Sequence, residues 1–290
     1  MSGFLLIIIA SLLYPFVDVL KKKATQQYTI KIIFWAVATF SLPIYIVFLI
    51  FDGIPEIDPS FWWIIAINAP LMIFTNILLI KDEKIAPIST TLPLLSLTPV
   101  FLIGTSYLML GELPNSFGIA GIVLVVAGAI LLKGEDIRKG LVYRLKNIFS
   151  HKSSRYILLI ALIWSVSANL AKMGMEASSA EFFLFVIVFI EAAFMSAWMG
   201  WKHRHHFKKM ISGHLPILLT AAFITGISDV IFLFGLETVL VPYAIAIKRG
   251  GLIIGSLVLG SFYFKEKNIK YRIFGATIMI IGVLFILILK

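Results

Sequence analysis

Residues 110–132, LGELPNSFGIAGIVLVVAGAILL, read as a Gly-Glu turn followed by an apolar helix with glycines at 121 and 128. The same order returns at residues 264–286, FKEKNIKYRIFGATIMIIGVLFI: at one offset of 154, Glu112 falls on Glu266, Gly121 on Gly275 and Gly128 on Gly282. A second match lies upstream of each stretch. SLLYPFVDVLKKKATQQ, from Ser11, aligns with ALIWSVSANLAKMGMEA, from Ala161, at an offset of 150, setting Tyr14 against Trp164 and Lys22 against Lys172. The chain therefore reads as two related halves. Glycines seven apart lie on one helix face, and their plainest use is to let a neighbouring backbone pack closely; Gly251 and Gly255, a GxxxG pair, have the same reading.

Composition sets the solvent. Of 290 residues, 60% are hydrophobic and 14% charged, and the mean hydropathy is +1.00, more apolar than polar surface can cover in water. The net charge of +10 is spread in short runs between apolar spans, not gathered on one solvated face, which argues against a nucleic-acid partner. There is no cysteine, hence no disulfide framework and no thiol chemistry. A bilayer core of about 30 Å takes about 20 helical residues, and ten apolar runs of that order are found at 3–20, 31–51, 61–80, 86–110, 115–132, 156–173, 181–201, 215–236, 241–264 and 270–289. Barrel strands would need only about 10 residues with alternating polarity, so the expected fold is all-α with ten transmembrane helices. The N-terminus lacks a basic n-region and a cleavage site, so the first run reads as a retained span.

The connections after spans 1, 3, 5, 7 and 9 carry 21 Lys and Arg, while the opposite side has only Lys172 and Lys290, and DGIPEIDPS (52–60) is purely acidic. The Lys/Arg excess marks the cytoplasmic side, so both termini are expected outside a cell membrane and the basic 133–155 linker inside. Within that linker LVYRLKNIF (141–149) reads as a solvated segment or as a basic amphipathic turn on the lipid surface. An odd number of spans per half inverts the halves relative to each other, the arrangement of secondary transporters whose substrate sites lie near the midplane.

The segment LTPVFLIGTSYLMLGELPNSFGIAGIVLVVAGAILL (97–132) resembles the EamA-domain branch of the drug/metabolite transporter superfamily: Pro99 in span 4, Gly111-Glu112 at its end, then Gly121 and Gly128. The second half keeps Glu266, Gly275 and Gly282 but has Ile253 in place of the proline and Lys265 in place of the glycine. The resemblance implies two inverted five-helix repeats, here 3–132 and 156–289, and export or exchange of small metabolites. Many relatives resemble a termini-inside arrangement, against the charge bias here.

Five ionisable residues fall inside spans: Asp18, Glu191, Asp229, Lys248 and Arg249. Each costs about 2.5–3.5 kcal/mol at a helix centre on insertion scales and needs a partner or a wet cavity. Asp18 lies beside Lys21 and Lys22, where a local pair accounts for it. The other four fall roughly 10–15 Å below the expected outer surface. They are expected either to lock helices as a structural ion network or to form a substrate site, with Lys248 and Arg249 as substrate contacts and Glu191 and Asp229 as partners or proton carriers. Asn76 and Trp164 join them as candidate lining residues, though Asn68, Thr75, Asn76 and Ser228 are lone polar residues of a kind more often interhelical glue than ligands. In span 4, Pro87, Pro93 and Pro99 free backbone carbonyls that Ser89, Thr90, Thr91, Ser96 and Thr98 can satisfy. Trp62, Trp63, Trp198 and Trp201 read as interfacial anchors, and Trp35 and Trp164 as deeper. His203, His205, His206 and His214 have no zinc spacing, and His151 also lies in a connection; no phosphate loop or nucleophile set is present. The expectation is a secondary transporter, not an enzyme, with a small-molecule substrate, protons as a candidate coupling ion, membrane lipids around it, and no cofactor or metal. The alternative is a non-transporting membrane scaffold or receptor.

Overall fold

The structure is a computed structural model, and it describes residues 2–83, 94–131, 152–202, 215–264 and 269–288. Those residues form ten helices: α1 Ser2–Ala24, α2 Ile30–Asp52, α3 Ser60–Glu83, α4 Thr98–Leu110, α5 Ser116–Leu131, α6 Lys152–Glu176, α7 Ala180–Lys202, α8 Leu215–Leu236, α9 Val241–Phe264 and α10 Ile269–Ile288. Six of them, α1, α2, α3, α6, α7 and α8, are long and apolar enough to cross a membrane. Apart from span 4, the expected spans match these helices to within a few residues, and 215–236 and 241–264 match at both ends. Large side chains such as Leu5, Phe16, Trp63, Phe117 and Phe274 remain exposed, the surface that hydrocarbon covers when a chain lies in lipid.

Span 4 is described from Leu94: Leu94 and Leu95 are helical, Ser96 and Leu97 form a turn, and α4 runs from Thr98, while residues 84–93, which hold Pro87, Pro93, Ser89, Thr90 and Thr91, lie outside the described residues. Proline has no N–H, and it disfavours helix at the residue before it. Pro99 therefore leaves the Leu95 carbonyl, four residues back, without its usual donor. The Thr98 hydroxyl takes that place, donating to Leu95 O at 2.6 Å. Likewise α6 starts at Lys152, inside the stretch read as linker, while residues 132–151, with His151 and LVYRLKNIF, lie outside the described residues.

The chain divides into two compact units. The first holds Phe74–Asn169 and Thr238–Lys290, and the second Ser2–Ile73 and Leu170–Glu237. In the first unit α10 packs on α5 and α9, α9 on α4 and α5, and α4 on α5; in the second α8 packs on α1, α2 and α7, and α2 on α7. Helices α2, α4 and α5 thus each meet the helix five places later.

The α5–α10 crossing is set by glycine. A Cβ at Gly121 would stand 2.7 Å from Gly282 O, one at Gly282 would stand 2.6 Å from Gly121 O, and one at Gly128 would stand 2.5 Å from Gly275 O. Such distances admit no side chain. Because 121 pairs with 282 and 128 with 275, the two helices run antiparallel. Their shared core is Val125, Ala129 and Met279.

The turn after α4 explains the Gly-Glu pair. Gly111 has φ +69°, in the left-handed region where only glycine is unstrained, and the chain closes there through Gly111 N–H to Tyr107 O at 3.1 Å and Glu112 N–H to Ser106 O at 3.2 Å. Glu112 then accepts the N–H of Val241, the first residue of α9, at 2.7 Å, placing a carboxylate at the positive end of that helix. Its counterpart Glu266 lies outside the described residues. Asn115 caps α5, accepting Gly118 N–H at 2.7 Å, and its own N–H is donated to Tyr243 Oη at 3.1 Å.

Candidate functional site

Among the described residues, each unit holds a polar site. In the second unit, small residues of α8 admit its neighbours: a Cβ at Gly226 would meet Ile44 of α2 at 2.7 Å, and one at Gly235 would meet Ile7 of α1 at 2.6 Å. Between those two glycines lies Asp229, which accepts Tyr14 Oη on Oδ1 at 2.6 Å and Tyr45 Oη on Oδ2 at 3.2 Å. Both tyrosines are buried, Tyr45 without any exposed surface. Glu191 of α7 lies within electrostatic reach of Asp229 and Tyr45. Its Oε1 is sealed from solvent and accepts no hydrogen bond. Further along the α2–α7 contact, Trp35 Nε1 donates to Ser196 Oγ at 2.7 Å, and Lys31 stands over the Trp198 ring at 5.1 Å.

In the first unit, the Arg249 guanidinium lies over the Trp164 ring at 4.9 Å, a cation–π stack. The ring is fixed by its Nε1, which donates to Thr75 Oγ1 at 3.2 Å, and by the apolar cluster of Leu78, Leu94, Leu95, Ile157, Ile160 and Ala161. One turn on, buried Asn169 accepts Ser106 Oγ at 2.7 Å and donates to Thr105 Oγ1 at 3.1 Å, tying α6 to α4. Lys248 and Arg249 are half-buried in an unbroken helix, and Gly250 packs toward Val283, its Cβ position 3.2 Å from Cγ2. Leu94 and Leu95, aligned with Lys248 and Arg249 at an offset of 154, pack into the cluster that holds Trp164.

Of the four charges read as one constellation, Glu191 and Asp229 belong to the second unit and Lys248 and Arg249 to the first. Trp164 joins the cations, and Asn76 is half-buried beside Thr75 on α3. Asn68, Thr75 and Ser228 are buried, Ser228 with its hydroxyl turned back to Ile224 O at 2.6 Å. Tyr45 escaped the sequence reading because an isolated tyrosine in an apolar span carries no distinguishing signal. Tyr14 did carry one, its alignment with Trp164: each ring, on α1 or α6, donates to a polar residue on α8 or α3. Among the described residues, no three His, Asp or Glu gather as metal ligands, and His203, His205, His206 and His214 lie outside them.

Apolar helices of spanning length and charges held within their packing define a multi-pass helical membrane protein. The sequence pattern of the EamA-like transporter family matches residues 1–133 and 153–288. The chain belongs to the EamA-like transporter family, part of the drug/metabolite transporter superfamily. A solved structure described as "Crystal structure of protein" is similar in fold, with a TM-score of 0.75 and 15% identity, covering 99% of this chain and 97% of its own. No curated protein matches the chain.

Proposed function

We propose that the chain is a secondary transporter of a small polar or amphipathic metabolite, working by alternating access in a cell membrane. It has ten spans in two inverted five-helix repeats, 3–132 and 156–289, with the basic 133–155 linker in the cytoplasm. The exchanged glycine contact carries this reading. By sequence Gly121 corresponds to Gly275 and Gly128 to Gly282, yet in space Gly121 meets Gly282 and Gly128 meets Gly275. Equivalent helices that swap partners in this way are related by a two-fold axis, and equivalents that run antiparallel across a membrane are inverted. The paired bonds Tyr14 to Asp229 and Trp164 to Thr75 repeat the exchange, and the two matched stretches of the family pattern add to it.

In this reading Lys248 and Arg249 contact the substrate. An arginine held over an indole is kept in place by the ring, and its planar guanidinium fork suits a carboxylate or phosphate. Trp164 and Asn76 line the same region, and Glu191 and Asp229 serve as counter-charges or proton carriers. The test is a stability-shift screen of purified protein against amino acids, amines, sugars and nucleotides, followed by proteoliposome flux of each hit. Lys248→Met that folds normally but loses flux is the expected result. If every Lys248→Met preparation loses folded protein and no compound crosses with the wild type, the chain is a scaffold locked by its charges.

A further inference from the structure

We infer that Glu191 is the group that takes up and releases a proton in the second unit, with Asp229, anchored by Tyr14 and Tyr45, as its positioning partner. This deepens the transporter reading and rests on it. The two carboxylates are not equivalent. Both oxygens of Asp229 accept a tyrosine hydroxyl, whereas Oε1 of Glu191 is sealed from solvent and meets no donor. A carboxylate oxygen without water or a donor carries its charge at a cost, and the repulsion of a second carboxylate adds to that cost. A proton removes both and needs no space. Calcium or magnesium would need several oxygens around it, and among the described residues no three His, Asp or Glu gather here.

The titratable groups facing Glu191 from its neighbours are Tyr45 of α2 and Asp229 of α8, with Tyr14 of α1 reached through Asp229. Lys31, also on α2, stands over Trp198, and Glu181 lies in the first turn of α7. In the step itself an O–H bond forms on the Glu191 carboxylate as a hydronium ion gives up its proton. It breaks when the proton returns to water, with no change of oxidation state.

Infrared difference spectroscopy of the purified full-length protein, titrated with pH, reads the C=O stretch of a protonated carboxylic acid and does not depend on transport. The wild type is expected to show a titrating band that is lost in Glu191→Gln, restored in Glu191→Asp, and shifted in midpoint in Tyr45→Phe and Tyr14→Phe, with folding checked by melting temperature. A band that persists in Glu191→Gln, one lost only in Asp229→Asn, or a midpoint unmoved in both tyrosine variants overturns the proposal. So does a midpoint that moves when Na+ replaces K+ at constant ionic strength, which assigns the site to an alkali cation. A Glu191 band in a protein that moves no screened metabolite keeps the proton site and sinks the transporter reading alone.

Discussion

Tyr45 has no exposed surface, and its hydroxyl is one of two donors to Asp229. Removing the hydroxyl leaves Oδ2 without that donor in a packed interior, and a polar group stranded in this way costs about 1–3 kcal/mol. Tyr45→Phe is therefore expected to lower stability by that amount in detergent unfolding. Tyr14→Phe, which removes the shorter bond of 2.6 Å, is expected to cost at least as much; a loss too small to measure in both would mean that Asp229 is served by other donors. At the edge of the same unit, Glu237 follows α8, and partial burial, then the charge of Glu181, push its carboxyl above the ordinary range. A raised value means that the folded state holds the proton more readily than the unfolded chain. Its contribution is full below about pH 4, the ordinary range, and is lost as pH rises through the folded value. Glu237→Gln is expected to melt higher than wild type at pH 7, the gap closing on acidification to about pH 4; a gap independent of pH would refute the repulsion.

Among the elements, the α5–α10 crossing has little tolerance, since Gly121, Gly128 and Gly282 each face a backbone carbonyl as well as side-chain atoms. Overpacking of a close contact costs typically about 1–3 kcal/mol, and Gly128→Ala is expected in that range. Gly104→Ala, where a Cβ meets nothing within 4 Å, is expected to be neutral or slightly stabilising. Gly121 and Gly282 press on each other at one crossing, so Gly121→Ala with Gly282→Ala is expected to cost less than the two singles added, because helices already displaced by one methyl accept the second. Strict additivity in thermal unfolding would place the two contacts apart. The start of α9 depends on Glu112 in a different manner. Glu112→Gln keeps an acceptor for Val241 N–H but loses the attraction between a carboxylate and the helix N-terminus, about 0.3–1 kcal/mol. Glu112→Ala also loses the bond itself and is expected to cost more.

Across the whole molecule, what the sequence revealed follows from how each interaction is encoded. Span lengths and charge clusters are local, which is why α8 and α9 were placed to the residue, whereas the turn at Ser96 and Leu97 just before Pro99 lies within an apolar run that continues through it and leaves no mark in composition. The glycine spacing aligned α5 with α10 in sequence but did not reveal that the two pack on each other, since pairing is a property of space. For the same reason the four charges gave no sign in sequence of which compact unit each belongs to. Orientation is the remaining global property that the chain states locally, through 21 Lys and Arg on one side against two on the other. Translocation of a positively charged loop is disfavoured, so the bias predicts both termini outside, opposite to many members of the family. The absence of cysteine makes the test clean. With Ser2→Cys and Ser150→Cys expressed separately, an impermeant thiol reagent on intact cells is expected to label position 2, and position 150 only after permeabilisation. Labelling of position 150 alone on intact cells would reverse the topology.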